Sequence, residues 1–281
     1  MNIDIIIADP CGNITAFVPA KKIPFTNIET AKKILADKTM NVEQVGFFTM
    51  PTETADSNLW HLEMMGGEFC GNAARSFGLF CAKKRKLTGK NSIPVSISGT
   101  QLPVIVNVDV EENFAEVEIP PHLKIDQLLH KLNPHESKIL PVCVFDGITH
   151  VIAKNISANK KNFFDIKKIA ESAMSTETSK SGNNKTNALG IMFFDSQNQF
   201  LQPAVYVYKT ESLVFESSCA SGSAAFAICK YKDITDCNEI FLLKEPGGII
   251  QVGIKKTADK IDSITIGGKI SFRYLQYFSD T

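Results

Sequence analysis

Apolar and polar positions alternate in short segments along most of the chain. "IDIIIA" (3–8) and "ITAFVP" (14–19) predict two strands around the turn at Asp9–Asn13. "NIETAKKILAD" (27–37) changes period and places Ala31, Ile34 and Leu35 on one helical face, with Thr26 or Asn27 as cap. "EQVGFFTM" and "LWHLEMM" predict a hairpin about the polar turn near Asp56–Asn58. A helix is predicted from Cys70 to about Lys86, burying Ala74, Phe77, Phe80 and Cys81, with Leu87-Thr88-Gly89 ending it. "IPVSISG", "LPVIVNVDV" and "FAEVEIPP" follow as strands, and the polar, proline-punctuated stretch 121–141 predicts a connection.

The second half repeats the theme. "LPVCVFDGITHVIAK" (140–154) predicts strand, turn and strand, and "DIKKIAESAM" (165–174) a helix capped by Asp165. "STETSKSGNNKTN" (175–187) has no apolar residue and predicts an exposed, mobile loop. "ALGIMFF" and "FLQPAVYVY" predict a hairpin, and "SLVFES" a strand leading into the helix "SCASGSAAFAICKY". "EIFLLKEPGGIIQVGI" and "SITIGGKISFRYL" close the chain as strands.

The two helix starts align without a gap. In "FCGNAARSF" (69–77) and "SCASGSAAF" (218–226), Cys70 matches Cys219, Asn72 matches Ser221 and Phe77 matches Phe226, at a spacing of 149 residues. An internal duplication produces this layout, with two related lobes facing across a cleft. A cysteine at a helix N-terminus sits at the positive end of the dipole, which favours its thiolate. The unpaired N–H groups of a first helical turn form an anion site. Gly71, Asn72, Ala220, Ser221 and Gly222 are small enough to let a carboxylate approach that backbone. Two sulfurs flanking one carbon suit inversion at a Cα centre: one thiolate removes the proton, and one thiol returns a proton to the other face. Each cysteine also has a bland reading, as a small residue in a tight strand-to-helix corner.

Composition narrows the classes. With 281 residues, the chain has room for two lobes of about 100–150 residues each. The domain reading is 1–120 with Cys70 and 121–281 with Cys219, the last strand (about 268–281) being a candidate to return to the first lobe. Lys and Arg number 30 and Asp and Glu 30, a balance that argues against nucleic acid or an anionic membrane as partner. Lys83-Lys84-Arg85-Lys86 fits the cationic end of a helix. The start "MNIDIIIADP" lacks the basic flank and apolar length of an export signal, which predicts a cytoplasmic protein. Seven cysteines at irregular spacing, with no C-x-x-C, predict reduced thiols and no structural metal.

At these residues the sequence resembles the diaminopimelate epimerase and proline racemase superfamily. The resemblance implies an α/β (α+β) fold of two pseudo-symmetric lobes, each a strand-rich, barrel-like sheet around a central helix, with the active site in the cleft between them. It implies an isomerase that needs no cofactor, pyridoxal phosphate included. Cys70 in "CGN" and Cys219 in "CASGSA" match the catalytic cysteines. His150 in "GITHVIAK" and Glu216 in "FESSC" match polar groups that hold the substrate's amino end. Asn13 lies where the family has a Gly-Asn. Ser217 replaces the arginine that diaminopimelate epimerases use on the distal carboxylate, and "EMMGGEF" replaces their asparagine-containing segment, which disfavours diaminopimelate.

A closer resemblance is to the histidine racemases of metallophore biosynthesis, through "EQVGF" (43–47), "GGEFCGNA" (66–73), "FLQP" (200–203), "ESSC" (216–219) and "PGG" (246–248). It implies that Glu43 meets the substrate's imidazole N–H. Its bland alternative is a solvent-facing strand residue. His61, His122, His130 and His135 read as surface or structural. The substrate is then a small amino acid, with a homodimer as a further possibility. The alternatives are a racemase or epimerase of another amino acid such as diaminopimelate or a proline derivative, a phenazine-biosynthesis-like isomerase, or a carboxylate-binding protein without chemistry.

Overall fold

The computed structural model describes residues 2–20, 26–51, 59–133, 136–178 and 187–278. The turn near 56–58, His135 and residues 179–186 of the polar stretch lie outside them. The first elements are β1 (Asn2–Asp9), β2 (Thr15–Pro19), α1 (Asn27–Ala36), β3 (Gln44–Thr49), β4 (Trp60–Met64), α2 (Gly71–Lys84), β5 (Lys90–Ile97), β6 (Val104–Asp109) and β7 (Phe114–Glu118). Then come β8 (Lys124–Asn133), β9 (Glu136–Phe145), β10 (Ile148–Lys154), α3 (Lys160–Thr178), β11 (Ala188–Asp195), β12 (Phe200–Val207), β13 (Ser212–Phe215), α4 (Ala220–Lys230), β14 (Cys237–Glu245), β15 (Gly248–Thr257), β16 (Lys260–Lys269) and β17 (Ser271–Phe278). Among the described residues no helix is long and apolar enough to cross a membrane.

The chain separates into two compact units, Met1–Glu118 with Thr265–Thr281, and Ile119–Ile264. In the first unit β1 and β2 are antiparallel, β2 and β3 parallel across α1, and β3 and β4 antiparallel. Strands β4 and β5 are parallel across α2, and β5, β6 and β7 form an antiparallel meander. The chain's end completes this unit: Thr265–Lys269 pair with β7, and β17 runs along the whole of β1. The second unit repeats the order. Strands β9 and β10 are antiparallel, β10 and β11 parallel across α3, and β11 and β12 antiparallel. Phe200 of β12 pairs in parallel with Lys244 of β14 across α4, and β14 and β15 are antiparallel. β8 adds to the edge at β9, and β13 pairs with β12.

Three expectations change. Residues 121–141 are not a connection but the β8–β9 hairpin, paired from Lys124↔Val144 to Asn133↔Glu136. The helix expected at 165–174 starts five residues earlier, at Lys160, and runs through Thr178, so 175–178 are helical. Its N-terminus is tied by Asn159, whose Oδ1 accepts from Asn162 N at 2.9 Å, while Asp165 accepts from Lys161 Nζ at 2.8 Å. For α1 the cap is Thr26, one of the two residues expected there, in a reciprocal capping box with Glu29.

The apolar run of β1 is continuous because both of its faces are covered. Ile6 and Ala8 join the cluster around α2, and Ile5 and Ile7 join the one under α1. Helix α2 is buried from Gly71 to Ala82, so its small and aromatic residues meet strands on every side. Phe77 and Phe80 pack with Phe17, Phe48 and Trp60, the Phe48–Phe80 centroids lying 5.4 Å apart. In the second unit α4 buries Ala224, Ala225, Ala227 and Ile228, and Phe226 lies 4.4 Å from Phe194.

Candidate active site

Each unit presents one cysteine as the N-cap of its buried helix. Cys70 has φ −122° and ψ 112°, Cys219 φ −135° and ψ 102°, and neither side chain makes a capping hydrogen bond. Ser, Thr or Asp would fold their oxygen back onto the helix at this position. A thiol is a weak acceptor, so the sulfur is left for other contacts.

In the first unit the half-buried Cys70 Sγ lies 3.2 Å from Gln44 Oε1 and 3.8 Å from Asn13 Oδ1. Asn13 is buried at φ 57°, in a turn where Asp9 Oδ1 accepts from Gly12 N at 2.9 Å. Glu43 secures that turn: its Oε1 accepts from Asn13 N at 3.0 Å and from Ile14 N at 3.4 Å. Gly71 and Asn72 form the first turn of α2, and Asn72 Oδ1 faces inward to accept from Arg75 Nε at 3.2 Å. Arg75 is fully buried and also donates to Pro10 O at 2.7 Å and Gly268 O at 3.1 Å, tying the Asn13 turn to the helix.

In the second unit Cys219 is buried, with Ala220, Ser221 and Gly222 as the first turn of α4. Its Sγ lies 3.7 Å from Ser221 Oγ. Ser221 Oγ is in turn 2.9 Å from His150 Nε2. His150 is completely buried, and burial lowers its pKa from the ordinary 6.5 to about 3, so the ring is neutral. It would reach a ligand through Ser221 rather than directly. Glu216 is half-buried, its backbone N–H donating to Pro203 O at 3.0 Å, and its carboxylate hydrogen-bonds the Cys219 thiol.

Burial pushes the Cys219 thiol well up, and the Glu216 and Glu245 carboxylates push it further, against the Gly222 N–H. This reverses, for Cys219, the thiolate preference expected from the helix dipole alone. Burial is the largest cause, Glu216 the next, and Glu245, which sequence reasoning missed, adds to both. Glu245 is 4% exposed, and its Oε2 accepts from Cys219 N at 3.0 Å while Oε1 accepts from Ser223 Oγ at 2.5 Å. A negative group therefore sits where the dipole is positive. Gln44 and Arg75 were missed as well. Gln44 had a signal, being a polar residue in the apolar segment "EQVGF".

The fold, with one cysteine-headed helix in each unit, is shared with proline-racemase-like epimerases. A hydroxyproline epimerase from Agrobacterium vitis, solved with bound trans-4-hydroxy-L-proline, matches at TM-score 0.60 over 98% of this chain and 92% of its own, and at 10% identity the likeness is one of fold. The family model "Histidine racemase CntK N-terminal domain" matches residues 2–273, and the chain belongs to that family. Histidine racemases from Fusobacterium nucleatum subsp. nucleatum and Staphylococcus aureus are 32% and 28% identical to it, over 95% and 94% of this chain and 97% and 92% of theirs.

Proposed function

We propose that the protein is a cofactor-independent histidine racemase in which Cys70 and Cys219 act on opposite faces of one Cα. The observation that carries this is the pair of helix N-caps whose sulfurs stay out of the cap. It is supported by membership of the histidine racemase family. One thiolate takes the Cα proton, and the electron pair moves toward the substrate carboxylate. The other thiol delivers its proton to the opposite face, so no proton is gained or lost overall. The N–H groups of Gly71 and Asn72, and of Ala220, Ser221 and Gly222, are the donors for that carboxylate as charge develops on it. Glu216, Asn13 and the Ser221–His150 pair serve the amino group, and Glu43 the imidazole. The reading includes a cytoplasmic location, a small amino acid as ligand and a homodimer as a possible assembly.

The test is loss of the Cα proton in D₂O, followed by NMR on the purified, reduced protein. Single L-amino acids are offered, among them histidine, proline and diaminopimelate. Exchange is expected with histidine, and Cys70→Ser or Cys219→Ser should each slow it by ~10³-fold or more, the scale of a positioned acid–base group. Exchange with another amino acid alone would remove histidine. With no exchange at all, a carboxylate-binding protein becomes the better description.

A further inference from the structure

The two cysteines differ in what faces them, and the difference deepens the racemase reading, on which its functional consequence rests. In each unit the strand after the helix returns to the helix N-terminus. Just past the end of β5 stands Ser98, a neutral hydroxyl that donates to Glu68 O at 2.9 Å and accepts from Met64 N at 2.9 Å. β14 returns with Glu245, whose buried carboxylate holds the Cys219 N–H at 3.0 Å and the Ser223 hydroxyl at 2.5 Å.

Of the other groups beside Cys219, the Gly222 N–H acts the opposite way, favouring the thiolate. Glu216, from the link after β13, adds a second carboxylate. β10 contributes His150, neutral and acting only through Ser221. β11 contributes Met192, packed against Gly222, which carries no charge. Beside the Cys70 sulfur stand the carboxamides of Gln44 and Asn13. A carboxamide can accept from a thiol through its oxygen or, after half a turn, donate to a thiolate through its nitrogen. A carboxylate can only accept.

We propose that burial, with the carboxylates of Glu216 and Glu245, keeps Cys219 as the thiol in the ligand-free protein, so that Cys70 is the base that opens the reaction and Cys219 the acid that completes it. Glu245 touches the cysteine's backbone and is a positioning residue. The Cα–H bond breaks as Cys70 Sγ takes the proton, and the Cys219 S–H bond breaks as its proton moves to Cα. The hand of substrate that needs a Cys219 thiolate meets the minority form of the protein.

The test needs no substrate. Reduced protein carrying ¹³Cβ-labelled cysteine is titrated from about pH 6 to about pH 11 and followed by NMR, a window that extends well above the ordinary thiol value. The Cys70 and Cys219 resonances are assigned from Cys70→Ser and Cys219→Ser. Cys70 is expected to ionise first. Glu245→Gln keeps an acceptor for the N–H but removes the charge, and should lower the pH at which Cys219 ionises by about one unit, about tenfold more thiolate at fixed pH. The Cys70 signal should not move. Should that variant fail to fold, Glu216→Gln carries the same expectation. Cys219 ionising first, or not moving in the charge-removed variant, overturns the proposal. Because histidine is absent, this result stands apart from the function: Cα exchange with Cys219 ionising first would sink this assignment alone.

Discussion

His150 sits in β10 opposite Cys143 on one side and Gly190 on the other. A Cβ at Gly190 would lie 2.2 Å from its Nδ1, so the glycine makes the room that the ring fills. Nδ1 is buried with no hydrogen-bond partner among the described residues. The unfolded chain takes up a proton near 6.5, whereas burial holds the folded ring neutral down to about 3. Between those values the unfolded state binds the extra proton. The neutral ring's contribution is therefore complete above 6.5 and is lost as pH falls. Between about pH 7 and pH 5 the wild type should lose about 2 kcal/mol more than His150→Gln, measured by urea denaturation at each pH. Equal losses would mean that the folded protein protonates this ring. His150 was readable as a site residue only through resemblance, since a histidine among apolar strand residues says nothing of its partner. The cysteines were readable because they occur twice in register. Glu245 was not, because it lies 26 residues beyond Cys219 and meets it only through the return of β14.

Among the elements, α2 shows how tightly the fold holds the first cysteine. It crosses β6 at Gly78, where a Cβ would fall 2.4 Å from Val106 Cβ. Elsewhere in a helix, glycine to alanine gains up to about 1 kcal/mol from propensity. Here the branched valine is fixed in its strand, and Gly78→Ala should instead destabilise by about 1–3 kcal/mol in urea denaturation, as overpacking does. Adding Val106→Ala should recover part of that. A stabilised single variant would show that helix and strand can part at small cost. Helices α2 and α4 were legible because small and aromatic residues recur on all their faces. The β8–β9 hairpin was not: Leu129 pairs with Ile139 and both are exposed, so no polar face alternates with an apolar one. The first turn of α3, Lys160-Lys161-Asn162, likewise carries no apolar residue to mark a helix.

For the molecule as a whole, the first unit is assembled from both ends of the chain. Removing Thr265–Thr281 takes β17 from β1, from Asn2↔Phe278 to Asp9↔Ser271, leaving β1 its shorter pairing with β2, and takes away the strand segment on β7. It also removes Ile270, 3% exposed in the core around α2, and Gly268 O, an acceptor for the buried Arg75 guanidinium. Two strands each lose one ladder partner, and a buried charge loses one of its hydrogen bonds, a combination costly enough to exceed the margin of a small unit. The second unit, Ile119–Ile264, keeps its β9–β12 and β14–β15 pairings and both of its helices. In amide hydrogen exchange, a chain ending at Ile264 should lose protection in β1, β7 and α2 while α4, β11 and β12 remain protected. Retained protection in α2 would show that β1–β7 and their helices fold without the returning strand. Uniform loss across both units would show that the second depends on the first, so the three patterns separate closure of one unit from cooperation between two.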